Sequence, residues 1–286
     1  MIKKALIYTF TFSIAWVVGN FFLFQSGKLP MNIARYYVSA FFFITMWIPG
    51  IVGLILAKKD NIKLKFIGNT PFYLFLALAV PFVITVAILG MNMLFSPMKM
   101  TPQLAHSITS FISLPITGQI LSLGSATLAV IVVIFTINAL FSLGEEILWR
   151  GYLLEKLKEF SFWKQSLVIG IAWGAWHAPL ILLFQYNYPT APYIGSAMMI
   201  LLCILMSPIM IHLKQKSGNL YVPAVFHGAI NGISGLSILI FRGSNSLLTG
   251  ITGASGIIVL ILLNIILYIQ HRKQPVTITH NAVDNP

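Results

Sequence analysis

The chain has 286 residues, of which 58% are hydrophobic and 8% are charged, and its mean hydropathy is +0.89. Soluble domains carry about 25% charged residues, so this composition excludes an ordinary soluble protein and indicates a membrane protein. The net charge of +12 is also typical of nucleic-acid-binding proteins. Here the basic residues lie in short segments between apolar runs and form no domain, so we expect no nucleic-acid partner.

Eight apolar segments are long enough to cross a bilayer, which takes roughly 20 residues in a helix. They are 5–24, 37–57, 71–94, 122–145, 165–184, 193–213, 220–241 and 251–270. The sequence therefore predicts an all-α polytopic membrane helical bundle of about eight transmembrane helices. The first segment follows Lys3 and Lys4, as in a signal peptide, but its length and the lack of a clear cleavage site favour a retained span.

The basic residues also predict the orientation, because Lys and Arg are enriched in cytoplasmic loops. If the N-terminus is cytoplasmic, 14 of the 18 Lys and Arg residues fall on the cytoplasmic side. We therefore predict a multi-pass protein of the cell membrane with both termini in the cytoplasm. Two stretches outside the spans are predicted as surface elements: an external loop at 96–117 with an interfacial helix, and an amphipathic cytoplasmic helix at 151–164.

This topology divides the chain into four regions. We predict an N-terminal transmembrane region with three spans and the external loop, a central core, a last transmembrane span and a disordered tail. In that order, these regions are 1–117, 118–242, 243–273 and 274–286.

A few polar side chains lie inside the predicted spans, where ionisable groups are costly and mark candidate functional sites. Glu145 and Glu146 end the fourth span, His177 lies on the fifth, and His227 lies on the seventh. Asn231 follows His227 by one helical turn. We expect these groups to meet in a cavity in the cytoplasmic half of the bundle.

Helical spacing separates the roles of the two adjacent glutamates. Glu146 and Arg150 are four residues apart and share a helix face, whereas Glu145 and Glu146 are about 100° apart around the helix. One carboxylate can therefore pair with Arg150 while the other faces the bundle interior. Small residues at the same spacing predict close helix contacts on two of the spans. These residues are Gly170, Gly174, Gly228 and Gly232.

The set has the functional groups of a hydrolase. A carboxylate and an imidazole can activate water, while a second imidazole and an amide can stabilise an oxyanion. The Glu and His side chains could instead bind a divalent metal, although the zinc-protease motif H-E-x-x-H is absent. An aspartyl mechanism is disfavoured because Asp60 and Asp284 lie outside the spans. A serine mechanism of the rhomboid type, which needs a G-x-S-G motif, is disfavoured because the G-A-S-G sequence at 253–256 is on the side predicted to lie opposite the histidines.

Three segments resemble motifs of one family of intramembrane proteases, the CAAX-protease and bacteriocin-processing family, also called CPBP or Abi. EEILWR is similar to its E-E-x-x-x-R motif, WGAWH to F-x-x-x-H, and HGAIN to H-x-x-x-N. The motifs occur in the family's order within residues 120–240, so 118–242 would be the catalytic core. Trp173 stands where the family usually has Phe.

The resemblance implies roles for individual residues. Glu145 and His177 would activate the attacking water, and His227 and Asn231 would stabilise the oxyanion. The residues implied to hold the site in shape are Glu146 and Arg150, with Trp173 in support. Family members are described as metalloproteases, but a metal-free glutamate mechanism has also been proposed. If a metal such as Zn²⁺ is bound, its ligands would be Glu145, His177 and His227.

The implied activity is that of an intramembrane endopeptidase similar to CAAX prenyl protease 2. Its partner would be a peptide or membrane-protein substrate, and bacterial members are linked to bacteriocin maturation and immunity. Two other functions stay open: a non-catalytic bacteriocin-immunity or membrane scaffold protein, and a transporter with a proton relay. The transporter lacks support because no paired broken spans are evident. The sequence predicts neither the substrate nor the oligomeric state.

Overall fold

The computed structural model describes residues 1–28, 30–68, 70–96, 102–233 and 245–272. Within these ranges the chain is entirely helical apart from its connections, and no strand occurs. The predicted all-α membrane bundle is therefore confirmed.

The α-helices of the described ranges include long membrane-length helices and short connecting ones. In chain order they are α1 (Ile2–Gln25), α2 (Met31–Lys59), α3 (Pro71–Phe95), α4 (Pro102–Ile112), α5 (Ile116–Val133), α6 (Ala139–Glu146), α7 (Leu154–Lys156), α8 (Phe162–Trp176), α9 (Ala178–Phe184), α10 (Pro192–Ser217), α11 (Tyr221–Ile233) and α12 (Ala254–Arg272). Two π-helical turns, Ile134–Asn138 and Ile147–Leu153, lie on either side of α6.

Seven segments of the described chain are helical, long and apolar enough to cross a membrane. The predicted span at 220–241 begins as α11, but its last eight residues lie outside the described residues. Residues 97–101 of the predicted external loop and the predicted tail at 274–286 lie outside them as well. The number of spans and the side of the termini therefore stay predictions.

The fourth membrane segment is longer than the sequence predicts. It was expected to end at residue 145, but it runs from Ile116 to Lys156 through both π-helical turns. The prediction of an amphipathic surface helix at 151–164 is wrong for its first residues, since Tyr152 and Leu153 are buried. They are buried because this turn packs on α2, where the Tyr152 hydroxyl donates a hydrogen bond to Asp60.

Three of the four predicted glycines lie where helix backbones nearly touch, whereas Gly232 faces the Asn138 side chain. A Cβ atom on Gly170 would lie 2.5 Å from the Ile204 Cα atom, and one on Gly174 would lie 2.4 Å from the Ile200 Cα atom. Any side chain at these two positions would push α8 away from α10. Gly228 on α11 meets the backbone of Asn138 in the same way, at 2.7 Å. These contacts bring α6, α8, α10 and α11 together around one interior space.

Candidate active site

The predicted site residues meet at one cavity of about 640 Å³. α6, α8 and α11 each contribute to its wall, and side chains from α2 and α10 complete it. The predicted residues that line the cavity are Glu145, Trp173, His177, His227 and Asn231. The sequence thus predicted residues that share one cavity although they are up to 86 positions apart in the chain.

The two glutamates on α6 face different surroundings. The Glu145 side chain lines the cavity, whereas Glu146 is fully buried behind it. The short α6 helix that carries them lies between two π-helical turns. Such turns add one residue to a helical turn, shift the faces of the residues that follow, and are frequent at functional sites.

Glu146 forms the centre of a buried polar network. Its Oε1 atom lies 3.1 Å from the Arg150 Nη1 atom and 2.9 Å from the His227 Nδ1 atom. Arg150 also donates a hydrogen bond of 3.3 Å to the Ser207 hydroxyl of α10, and its guanidinium lies 4.2 Å from the Trp173 ring centroid. A buried charge is tolerated when it is paired and hydrogen-bonded, so this network fixes four helices relative to one another: α8, α10, α11 and the segment of α6.

Glu145 is held by a single strong contact. The Trp173 Nε1 atom donates a hydrogen bond of 2.6 Å to Glu145 Oε2, and both side chains are buried. Hydrogen bonds to an ionised carboxylate are shorter and stronger than neutral ones. The contact therefore orients the carboxylate toward the cavity.

His177 lies at a break between two helices. α8 ends at Trp176 and α9 begins at Ala178 with Pro179 in its first turn, because proline cannot continue the hydrogen-bond ladder of α8. The His177 Nδ1 atom lies 2.9 Å from the Trp173 carbonyl oxygen. A carbonyl only accepts, so Nδ1 carries the proton, and the Nε2 atom of the neutral ring is free to accept one.

His227, like His177, uses Nδ1 as the donor nitrogen of its ring. Its Nδ1 atom faces the Glu146 carboxylate at 2.9 Å, so Nδ1 is the donor in that contact. The Nε2 atom donates to a substrate only when the ring also carries its second proton. The amide of Asn231, one turn later on the same helix, lines the cavity. α11 therefore presents an imidazole and an amide on the wall that also carries the Glu145 side chain.

Connections at one end of the bundle complete the wall of the cavity. The cavity wall includes residues 186, 187 and 189 between α9 and α10, and residues 249–252 before α12. Tyr188 joins the two connections by donating a hydrogen bond of 2.8 Å to the Thr252 carbonyl. Burial raises the pKa of the Tyr186 phenol, and the negative charge of Glu145 raises it further, so this hydroxyl stays protonated.

These connections lie at the opposite end of the bundle from the basic segments. The basic end is marked by the ion pair between Lys156 and Asp60, at 2.7 Å, and by the hydrogen bond from Leu220 N–H to the Lys65 carbonyl. α8 and α9 run from this end to the connection at 185–191. The cavity is thus lined at the end of the bundle away from the basic segments, which does not favour the predicted opening toward the cytoplasmic half. The side of the membrane on which the cavity opens stays a prediction.

The arrangement of the candidate ligands bears on the metal that the resemblance allowed. The described residues contain no group of three or more His, Cys, Asp or Glu side chains that could hold one. Glu146, the nearest carboxylate to His227, already accepts contacts from that ring and from Arg150. Whether Glu145, His177 and His227 bind a metal therefore stays a prediction, and the steps proposed below are written with side chains alone.

Two contributors to the site carry no signal in the sequence. Ser207 on α10 accepts a hydrogen bond from Arg150, and Tyr186 adds a hydroxyl to the cavity. A serine in an apolar span and a tyrosine at a helix end are both common, so spacing could not single them out. Only the tertiary packing of α10 and of the α9–α10 connection brings them to the site.

A comparison with known protein families finds a match to the central part of the chain. Residues 125–233 match the family described as Rce1-like, type II CAAX prenyl endopeptidase Rce1-like. The match spans all three motifs and confirms the resemblance seen in the sequence. It indicates a protease of the CAAX type in a multi-pass membrane protein. A search of the curated proteins finds no match.

Proposed function

We propose that the protein is an intramembrane endopeptidase that hydrolyses a peptide bond of a membrane-associated peptide or protein. One observation carries the proposal. Glu145 lines a cavity with its carboxylate fixed by the Trp173 indole, and the same cavity is lined by His177, His227 and Asn231. Water-activating groups and oxyanion donors thus share one space of about 640 Å³, which can hold part of a peptide chain.

The first step is attack of water on the scissile carbonyl. Glu145 takes a proton from the water as its oxygen forms a bond with the carbonyl carbon, and the electron pair of the carbonyl moves onto its oxygen. The unprotonated Nε2 atom of His177 accepts a hydrogen bond from the same water. The tetrahedral intermediate then collapses, the C–N bond breaks, and the proton on Glu145 passes to the leaving nitrogen.

The negative oxygen of the intermediate needs hydrogen-bond donors. The Asn231 amide N–H and the Nε2–H of a charged His227 ring are the donors we assign to it. The Glu146 carboxylate lies 2.9 Å from Nδ1 and fixes the orientation of the ring. Arg150 and Ser207 hold Glu146 in place, so their role is to support the site rather than to contact the substrate.

The substrate class follows from where the cavity lies. Its wall is made by helices of membrane length, so we expect the bond to belong to a lipid-anchored or membrane-inserted chain in the cell membrane. The prenylated CAAX proteins acted on by the matched family are one candidate class. Bacteriocin-type peptides are another.

The test uses the full-length protein in lipid nanodiscs and a fluorescence-quenched peptide that ends in a CAAX sequence, with and without a farnesyl group. We expect wild type to cut at least one form and Glu145→Gln to lose at least about a thousandfold in rate, as for loss of a general base. Glu159→Gln, which removes an exposed carboxylate, is the matched control and should be unaffected. Equal rates for wild type and Glu145→Gln would overturn the proposal and favour a non-catalytic interaction protein.

A further inference from the structure

A buried serine hydroxyl next to Glu145 has no hydrogen-bond partner in the described part of the chain. Ser142 is 1% exposed, and its Oγ atom is unpaired. A buried hydroxyl in a helix can donate back to the carbonyl four residues earlier. Ser166 does so to Phe162 at 2.9 Å, and Thr85 does so to Pro81 at 2.9 Å. Ser142 departs from this pattern, and each unpaired buried polar group in a folded protein calls for an explanation.

The position of Ser142 supplies that explanation. Ser142 and Glu145 are three residues apart in α6, so their side chains share a helix face. Both line the cavity of the candidate active site. The Trp173 indole donates to Oε2 of Glu145, so we assign the activated water to the other oxygen, Oε1.

We propose that Ser142 is a positioning residue that binds the water activated by Glu145. The two hydrogens of this water are assigned to Glu145 and His177, so the Ser142 hydroxyl donates its own hydrogen to the water oxygen and holds it while a water proton passes to the carboxylate. Ser142 forms no covalent bond and gains or loses no proton in the step. It acts through orientation of the water toward the scissile carbonyl, and it satisfies its own hydroxyl in doing so.

This inference rests on the proposed hydrolysis, so its test must separate the two. The test compares Ser142→Ala with Ser166→Ala in nanodiscs, using the farnesylated and unfarnesylated CAAX peptides. Both changes remove one buried hydroxyl, but Ser166 donates to a backbone carbonyl in its own helix. Ser142→Thr, which keeps a hydroxyl, serves as the rescue variant. Rates, KM and thermal unfolding are measured for each.

We expect Ser142→Ala to lower kcat by about 10- to 100-fold with little change in KM or in the unfolding temperature, because a poorly placed water attacks less often. Ser166→Ala should keep the wild-type kcat, and Ser142→Thr should recover most of it. A kcat for Ser142→Ala equal to that of Ser166→Ala, while Glu145→Gln is inactive, would overturn this inference alone. A loss confined to KM or to stability would also overturn it. Absence of any Glu145-dependent cleavage would overturn both the proposed function and this inference.

Discussion

At the scale of single residues, the most informative side chain is Trp173. The family that the motifs resemble usually has Phe at this position, and the Phe side chain has no hydrogen-bond donor. Here the indole N–H binds Glu145 Oε2 at 2.6 Å, and the ring also stacks beside Arg150 at 4.2 Å. The tryptophan thus contacts both the candidate base and its supporting network.

Replacement of Trp173 by Phe should keep the aromatic contact and remove the hydrogen bond. We expect the Glu145 carboxylate to lose its orientation and kcat to fall by about 10- to 100-fold. Trp163→Phe, at a tryptophan that packs on Tyr268 away from the cavity, is the control. Peptide cleavage in nanodiscs measures both, and an unchanged kcat for Trp173→Phe would show that the indole N–H is dispensable.

Much of the site could be predicted from residue spacing, because spacing in a helix fixes which side chains share a face. The pairing of Glu146 with Arg150 and the inward position of Glu145 both follow from it. The contact of His227 with Glu146 could not be predicted, since it depends on how far α11 slides along α6. Ser207 was missed because it reaches the site only through the packing of α10. Ser142 shares a helix face with Glu145, but a serine in an apolar span is common, so spacing did not single it out.

At the scale of elements, glycines set how closely the helices that carry the site can approach. Gly174 packs against the α10 backbone, whereas Gly90 on α3 has no atom within 4 Å of an added Cβ. The two positions therefore give a matched comparison of the same substitution.

We expect Gly174→Ala to lower the free energy of unfolding by about 1–3 kcal/mol, because the new methyl group overpacks the contact between α8 and α10. Gly90→Ala should be neutral or slightly stabilising, since alanine favours a helix over glycine. Thermal unfolding in detergent compares the two variants with wild type. Equal effects of the two changes would contradict the close contact at Gly174.

The π-helical turns on either side of α6 show where prediction from sequence stops. A hydropathy pattern reports that a segment is apolar, but it does not report an extra residue in a turn. The first turn, Ile134–Asn138, packs on α11, and the second, Ile147–Leu153, packs on α2. Tertiary contacts of this kind decide the register, so the continuation of the segment beyond residue 145 was not predicted.

The contact of Asp60, at the end of α2, with Lys156 and Tyr152 depends on pH. Hydrogen bonds from Lys156 and then from Tyr152 lower the pKa of Asp60 below its ordinary value, and they join α2 to the segment that carries the glutamates. The stability gained from a lowered carboxyl pKa is present above about pH 4 and is lost as the pH falls through the folded-state pKa.

Asp60→Asn should therefore lower the unfolding temperature at pH 7, and the difference from wild type should shrink as the pH falls from about 4 through the lowered folded-state pKa. Because the pair is partly exposed, we expect a small shift. Unfolding temperatures of both proteins from pH 7 to pH 3 provide the measurement. A difference that persists unchanged at the acid end would contradict the assigned ion pair.

At the scale of the whole molecule, the site depends on helices outside the matched family region. The match begins at residue 125, yet α2 lines the cavity through Phe42, Thr45 and Met46. α1 contributes as well, since the Ser13 hydroxyl accepts a hydrogen bond of 2.8 Å from Trp176, the neighbour of His177. The bundle therefore works as one unit around the cavity.

The charge asymmetry predicts how this unit lies in the membrane. In a Cys203→Ala background, which removes the only cysteine, a membrane-impermeant maleimide should label Thr190→Cys but not Lys63→Cys in intact cells. Both positions are exposed and lie at opposite ends of the bundle. Labelling of Lys63→Cys alone would reverse the orientation.

The measurement that tests the account most directly is a comparison of peptides and membrane-protein termini by mass spectrometry. Cells carry wild type, Glu145→Gln or Glu159→Gln at matched abundance. If Glu145 activates the water, wild-type and Glu159→Gln cells contain products with new termini that are absent with Glu145→Gln, and these termini identify the substrate. Identical termini in all three strains would contradict catalysis and leave the two glutamates with a structural role.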